Sequence, residues 1–263
     1  MSQTTTICFA NNKGGSGKST TCCNVGYSMA LQGKKVLLID GDMQMNLTLS
    51  FFDDETALEL AKNGKNLYNA IKDERDLTPF VLSTPYEGLD LIPSSTLMSG
   101  IEFELFTKWQ RELILRQGLK KIKQSGQYDY ILIDAPPTLG CWVMNIMCAS
   151  DYLIIPVEAS PWGLFGIANM FEFYEQVQRL SPDLRLLGIL VTKVNERKNY
   201  FKQTMETLGT LDDVPVFPTY IRTDSTIEWS QDNSKPVMAY KKSSRAAQEY
   251  FQLAKEVIQH ADR

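Results

Sequence analysis

Short apolar runs alternate along this chain with longer stretches of helical spacing, and the alternation predicts its architecture. Thr6-Ile7-Cys8-Phe9-Ala10 is a β-prone run, and Val36-Leu37-Leu38-Ile39 is apolar without interruption, as expected of a strand covered on both faces. Between them, Val25, Met29, Ala30 and Leu31 recur at roughly helical spacing within Thr20 to Gln32. Gly33 is placed to end that helix in the left-handed conformation. Further runs predict strands near Leu89, Tyr130, Leu153, Leu186 and Val214, and helices are predicted near Glu102, Phe165, Tyr200 and Ala246. Glu102 to Gln124, which mixes apolar and basic positions, reads as one amphipathic surface helix. Strand followed by helix, repeated, predicts an α/β fold with a doubly wound, mostly parallel sheet flanked by helices.

The chemistry lies at the ends of the predicted strands. Asn12-Lys13-Gly14-Gly15-Ser16-Gly17-Lys18-Ser19-Thr20 fills the first strand-to-helix turn. Its three glycines let backbone N–H groups converge on an anion, and the helix that follows adds the positive end of its macrodipole. The P-loop pattern asks for glycine, four residues, then Gly-Lys-Ser/Thr, and Asn12 takes the first glycine's place, so this is a variant. Lys18 is placed to reach the β- and γ-phosphates of a nucleotide and Ser19 to offer a hydroxyl to Mg²⁺. Lys13, at the loop's entrance, has no part in that scheme. The second strand delivers Asp40-Gly41-Asp42-Met43-Gln44-Met45-Asn46 to the same sheet edge, and Tyr130-Ile131-Leu132-Ile133 delivers Asp134. A carboxylate there can hold the waters of a Mg²⁺ ion, which makes Asp134 the Walker B candidate; carboxylates at strand ends also serve as helix N-caps.

Lys-Gly-Gly-Ser-Gly-Lys-Ser, Asp-Gly-Asp-Met-Gln-Met-Asn and Ile-Asp-Ala-Pro-Pro resemble the deviant Walker A, Walker A′ and Walker B segments of ParA-type partition ATPases, within the ParA/MinD group. The resemblance extends to Leu89-Asp90-Leu91-Ile92-Pro93-Ser94, to Asp151–Val157, to Lys235-Pro236-Val237 and to Ser244–Tyr250, and so covers nearly the whole chain. It implies a P-loop NTPase fold, ATP and Mg²⁺ as cofactors, and a homodimer when ATP is bound. Lys13 matches the signature lysine, which reaches the phosphates of the nucleotide held by the other subunit. Asp42 matches the hydrolytic aspartate, and Asp40 lies nearer the Mg²⁺ water shell with Ser19 and Asp134. The same resemblance implies non-specific binding of duplex DNA, a ParB-like DNA-binding partner that stimulates hydrolysis, and a cytoplasmic, nucleoid-associated location. Two departures stand out. Met43 and Met45 replace the usual proline and glycine, and Arg222-Thr223-Asp224-Ser225-Thr226 keeps only part of a Val-Arg-Leu-Ser-Glu stretch.

Composition narrows the picture. A chain of 263 residues with 43% hydrophobic content can bury a large core, and one domain over 1–263 is expected, with no separate N-terminal DNA-binding domain before the phosphate loop. The net charge of −4 means that any DNA site is a local patch completed across a dimer. Lys235, Lys241, Lys242 and Arg245, with Arg222, form one candidate patch; Lys193, Arg197, Lys198 and Lys202 form another. Asn195 is a candidate for reading the adenine edge. Five cysteines without a Cys-x-x-Cys pair suggest buried thiols in a reducing compartment.

Rival classes remain in view. An iron-protein type of ATPase would use Cys141 as a cluster ligand, but no cysteine lies between the first βαβ unit and Asp134 to supply the second. A MinD-like positioning ATPase would need a C-terminal amphipathic helix free for lipid. The stripe from Ala246 to Ile258 faces a mixed rather than basic polar side, which favours docking on the sheet over a membrane. A small-molecule P-loop kinase would use Lys18, Ser19 and Asp134 and leave Lys13 without a role.

Overall fold

The structure, a computed structural model, describes residues 4–160, 163–164, 166–211 and 213–262. In chain order the elements are β1 (Thr5–Phe9), α1 (Lys18–Ala30), β2 (Val36–Asp40), α2 (Asn46–Leu49), α3 (Asp54–Lys62), α4 (Leu67–Lys72), β3 (Leu82–Ser83) and β4 (Leu89–Ile92). The middle of the chain adds α5 (Ile101–Phe106), α6 (Ile114–Gly118), α7 (Lys120–Ser125), β5 (Tyr130–Asp134), α8 (Cys141–Cys148) and β6 (Tyr152–Glu158). It closes with α9 (Ile167–Gln178), β7 (Arg185–Thr192), α10 (Asn199–Leu208), α11 (Ser225–Asp232), α12 (Val237–Tyr240) and α13 (Arg245–Ala261).

Seven strands form one sheet in the order β3-β4-β2-β5-β1-β6-β7, parallel except for the β3–β4 pair. The expected doubly wound α/β sheet is therefore present. Alternate side chains of each central strand feed two cores. Leu37, Ile39, Ile131 and Ile133 join residues of α4 to α9 on one face, while Val36, Leu38, Tyr130 and Leu132 join α1 and α13 on the other. Pairing puts Phe9 beside Asp134 and Asp134 beside Asp40 in register, so β1, β5 and β2 deliver the phosphate loop and both carboxylates to one edge.

The first helix runs from Lys18, two residues ahead of the expected start, and Gly33 follows it in the left-handed region at φ 81°. The backbone N–H of Lys34 donates to the carbonyl of Met29 at 3.2 Å and closes the C-terminal turn. The apolar stripe of α13 is buried through Tyr250, Leu253, Ala254 and Val257 against α1 and the sheet, so this helix docks as expected. No helix among the described residues is long and apolar enough to cross a membrane.

Two expectations are corrected. The single helix from Glu102 to Gln124 is broken into α5, α6 and α7, with Gln110 at a left-handed φ of 49° between the first two. Asn145 of α8 reaches into the break. Its Oδ1 accepts the N–H of Leu115 at 3.1 Å, and its Nδ2 donates to the carbonyls of Arg111 and Cys141. A side chain thus satisfies backbone groups that an unbroken helix would satisfy itself. The strand expected near Val214 is reduced to a parallel bridge between Val216 and Ile189. Pro215 and Pro218 lack the N–H groups that a longer ladder would need. The helix expected near Phe165 starts at Ile167; Phe165 lies outside the described residues.

Close packing of α1 on β2 gives a test. A β-carbon on Gly26 would sit 2.6 Å from Cδ2 of the buried Leu38. Alanine in a helix gains about 1 kcal/mol over glycine, while overpacking a tight core costs about 1–3 kcal/mol. Gly26→Ala is therefore expected to lower the urea midpoint of unfolding, and an unchanged or higher midpoint would show that this contact has slack.

Candidate nucleotide site

The loop after β1 is shaped by two glycines in backbone conformations that side chains rarely adopt. Gly15 has φ 73°, and Gly17, which begins α1, has φ 90°. These turns leave the backbone free to face an anion at the helix start. β7 braces the loop from the side, where the Thr192 hydroxyl donates to the Ser16 carbonyl at 2.8 Å. The loop forms one wall of a cleft of about 950 Å³ that also takes in Ser19, Thr20, Asp42, Pro137, Thr192 and the segment Ile221–Asp224. Gln231 of α11 closes that far wall by donating to the Thr20 hydroxyl at 3.0 Å.

Lys18 is buried, and its ammonium donates to the Lys13 carbonyl at 3.2 Å. Burial pulls its pKa below the ordinary lysine value, with Asp134 and Asp42 opposing the shift. Asp40 and Asp134 are fully buried neighbours. Burial pushes Asp40 up to about 6, against hydrogen bonds from the Thr48 N–H (2.8 Å), the Thr48 hydroxyl (2.6 Å) and the Asp42 N–H (3.2 Å). Asp134 is raised well above the carboxylate range by burial and then by the charge of Asp40. Among the described residues, neither of its carboxylate oxygens has a hydrogen-bond partner.

An orphaned buried carboxylate beside a second one and the Ser19 hydroxyl fits a hydrated Mg²⁺ ion, whose charge would make the ionised forms favourable. Ser19 would hold the ion directly, with Asp134 and Asp40 holding its waters. Asp42 lines the cleft on the same side, and its Oδ1 accepts the N–H of Gln44 at 3.1 Å, which leaves Oδ2 for a water.

Lys13 faces away from this arrangement. Its ammonium donates to Oε2 of Glu158 at 3.1 Å and to the Ser160 hydroxyl at 3.2 Å, beyond the end of β6. Asn195 is exposed, folds its Oδ1 onto the N–H of Arg197 at 3.1 Å, and is not part of the cleft wall. Arg222 does line the cleft, but its guanidinium is held between Glu249 (2.5 Å) and Glu196 (3.2 Å). Arg245 lies against Asp224 and Glu249, whereas Lys235, Lys241 and Lys242 are exposed and form no ion pair among the described residues. Cys8, Cys22, Cys23 and Cys148 are buried thiols, and Cys141 is partly buried at the start of α8.

Several bracing residues escaped the sequence reading. The Ser94 hydroxyl donates to the Asp42 carbonyl at 2.7 Å, and its N–H donates to the Thr48 hydroxyl at 3.0 Å. The Trp142 indole donates to the Gly41 carbonyl at 2.8 Å, and Glu102 accepts from the N–H groups of Cys141 and Trp142 at the start of α8. Only Ser94 carried a signal, as the end of the Leu-Asp-Leu-Ile-Pro-Ser stretch; the others are joined across the fold.

Comparison with known proteins agrees with this geometry. A family model described as an AAA domain matches residues 4–186. The chain is 35% identical over 252 residues to the sporulation initiation inhibitor protein Soj of Bacillus subtilis (strain 168), covering 95% of this chain and 97% of that protein. It is 31% identical over 255 residues to the chromosome partitioning protein ParA of Caulobacter vibrioides (strain NA1000 / CB15N), covering 96% and 93%. Among solved structures, cobyrinic acid a,c-diamide synthase from Mycobacterium smegmatis with bound ATP analog and magnesium superposes with a TM-score of 0.84 at 27% identity, covering 98% and 95%. A plasmid partition protein from Borrelia burgdorferi, at 23% identity, shares the fold with a TM-score of 0.74 over 98% and 97%. The site and fold define a P-loop ATPase of the AAA-domain family that uses ATP and Mg²⁺. Within that class the chain belongs to the Soj/ParA family of partition ATPases.

The two sides of the site separate in their expected defects. Lys18→Ala should abolish nucleotide binding, because it strips a cation from the ground-state phosphates. Asp42→Ala should keep ATP binding and lose hydrolysis, because it disturbs only the attacking water. Phosphate release and equilibrium binding of an ATP analogue measure the two; wild-type hydrolysis by Asp42→Ala would remove Asp42 from the chemistry.

Proposed function

We propose that ATP closes two copies of this chain into a sandwich dimer that binds duplex DNA without sequence preference and drives the partition of a plasmid, chromosome region or mobile element. A DNA-bound, ParB-like partner stimulates hydrolysis and resets the dimer. The names of the curated relatives, chromosome partitioning among them, support the cellular role. The observation that carries the dimer is the placement of Lys13. Its ammonium lies on Glu158 and Ser160, outside its own phosphate cleft, while Lys18 already serves that cleft from within. A cation displaced outward in this way suits a facing site, where it neutralises charge that develops on the transferred phosphoryl group. The Lys13–Glu158 pair is partly exposed, and such pairs contribute about 1 kcal/mol or less, so the phosphates of a facing nucleotide can outcompete it.

The cationic surface is narrower than composition implies. Arg222 and Arg245 give their charge to carboxylates of this chain, so Lys235, Lys241 and Lys242 are the better candidates for DNA phosphates. Dimerisation doubles such contacts, which makes DNA binding depend on ATP and fall steeply with salt. This activity belongs in the cytoplasm, on the nucleoid.

Two outcomes test the reading. Lys13→Ala should bind nucleotide as a monomer yet fail to dimerise with a slowly hydrolysed ATP analogue in sedimentation; normal dimerisation would reject the sandwich. Replacing Lys241 and Lys242 with alanine should flatten the salt dependence of DNA retardation and leave basal hydrolysis intact. ATP-dependent flotation with anionic vesicles, with no retardation of DNA at low salt, would replace partition with membrane positioning.

A further inference from the structure

Lys193 belongs by sequence to the basic cluster with Arg197, Lys198 and Lys202, yet the fold parts it from them. Arg197 and Lys198 lead into α10 and Lys202 lies on it, paired with Glu206, and none of the three lines the nucleotide cleft. Lys193 does line it. It follows β7 directly and holds a left-handed backbone at φ 52°, a conformation that strains a residue with a β-carbon.

The turn is fixed on both sides. Before it, the Thr192 hydroxyl donates to the Ser16 carbonyl at 2.8 Å; after it, the Val194 N–H donates to the Ile221 carbonyl at 3.0 Å and the Val194 carbonyl accepts from Thr223 at 2.9 Å. The result aims the side chain back over the phosphate loop. A β-carbon added to Gly15 would lie 3.7 Å from the Lys193 ammonium, which places that ammonium in contact range of the loop backbone. Lys193 forms no ion pair among the described residues. An unpaired ammonium held against the anion-binding backbone, in a turn that carries strain, is placed for a ligand's charge.

We propose that Lys193 is a third phosphate-binding cation, acting in cis on the polyphosphate of the bound nucleotide. Lys18 is buried at the start of α1, and Lys13 points out of its own site. Lys193 thus supplies the second positive charge that a monomer's own nucleotide meets before a partner subunit arrives. The inference rests on the nucleotide-binding assignment and not on partition, so it holds or fails independently of DNA and of dimerisation.

The experiment measures binding of a fluorescent ADP and of a slowly hydrolysed ATP analogue to the full chain without DNA, at two salt concentrations. Lys193→Met should weaken both nucleotides about tenfold, on the scale of one charge-assisted hydrogen bond in a partly solvated site, and the loss should shrink as salt rises. Lys193→Arg should restore most of the affinity, and the thermal midpoint of the nucleotide-free protein should be unchanged in both variants. Wild-type affinity in Lys193→Met would overturn the inference. So would loss of DNA retardation at saturating ATP with nucleotide affinity intact, which would return Lys193 to the DNA surface. A drop in affinity that arginine does not rescue and that tracks a lowered thermal midpoint would assign the residue to the turn's stability instead. Failure of the wild-type chain to bind either nucleotide would overturn the ATPase assignment together with this inference.

Discussion

Two carboxylates side by side in the interior set the terms for everything around them. Asp40 and Asp134 end adjacent parallel strands in register and are fully buried, an arrangement that carries a large desolvation cost for their charged forms. Asp40 is compensated within the protein by three hydrogen bonds, two of them from Thr48. Asp134 is not, and its pKa rises accordingly. The protein keeps one satisfied and one unsatisfied carboxylate beside a buried lysine, which amounts to a site that is incomplete until a divalent cation and phosphates bring matching charge. Binding energy from nucleotide and metal is therefore coupled to relief of an internal electrostatic cost, as expected where titratable groups of one site perturb one another.

That coupling has a mechanical side. Asp42 sits on a short loop whose carbonyls are claimed from two directions, by Ser94 after β4 and by Trp142 at the start of α8. Gly41 lets the loop lie close against the end of β5, since a β-carbon there would lie 2.7 Å from the Asp134 carbonyl oxygen. Trp142 is in turn fixed by Glu102 of α5, the helix that carries the exposed Phe103 and Phe106. The Asp42 loop is thus braced by packed elements rather than left to its own propensity. Met45, where a glycine is usual, adopts a left-handed φ of 57° because its side chain is buried, and apolar burial of about 2 kcal/mol outweighs a backbone cost of about 1–2 kcal/mol.

The parts of this architecture that are local in sequence were legible in it. The glycines and lysines of the phosphate loop, the strands that deliver Asp40 and Asp134, and the C-terminal glycine of α1 each carry their reason within a few residues. Legibility ends where a distant group decides. Nothing near Glu102–Gln124 announces that Asn145 will take over its backbone hydrogen bonds, so a continuous amphipathic pattern reads as one helix and folds as three. Pro215 and Pro218 flank the apolar Val216 and Phe217, and at this edge of the sheet their missing N–H donors hold the pairing to a single bridge. Charge was the least legible property. Arg222 and Arg245 look like a basic patch with Lys241 and Lys242 until Glu196, Asp224 and Glu249 are brought against them.

On the proposed reading, the same redistribution of charge lets an acidic chain act as a switch for a polyanion. With Arg222 and Arg245 neutralised internally, two sets of lysines matter: Lys235, Lys241 and Lys242 on the outer surface near α12, and Lys13, Lys18 and Lys193 around the phosphate loop. A monomer would offer DNA only a few of the first group against a net charge of −4, and would bind it weakly. Two monomers joined over ATP would place both lysine surfaces on one object, with the nucleotide's negative charge absorbed by the second group. Affinity for DNA would then depend on whether the loop lysines have phosphates to hold, although no surface residue has changed. Hydrolysis would remove the γ-phosphate that justifies closure, and the doubled contact set would be lost with it; on this reading release from DNA needs no separate signal at the DNA surface.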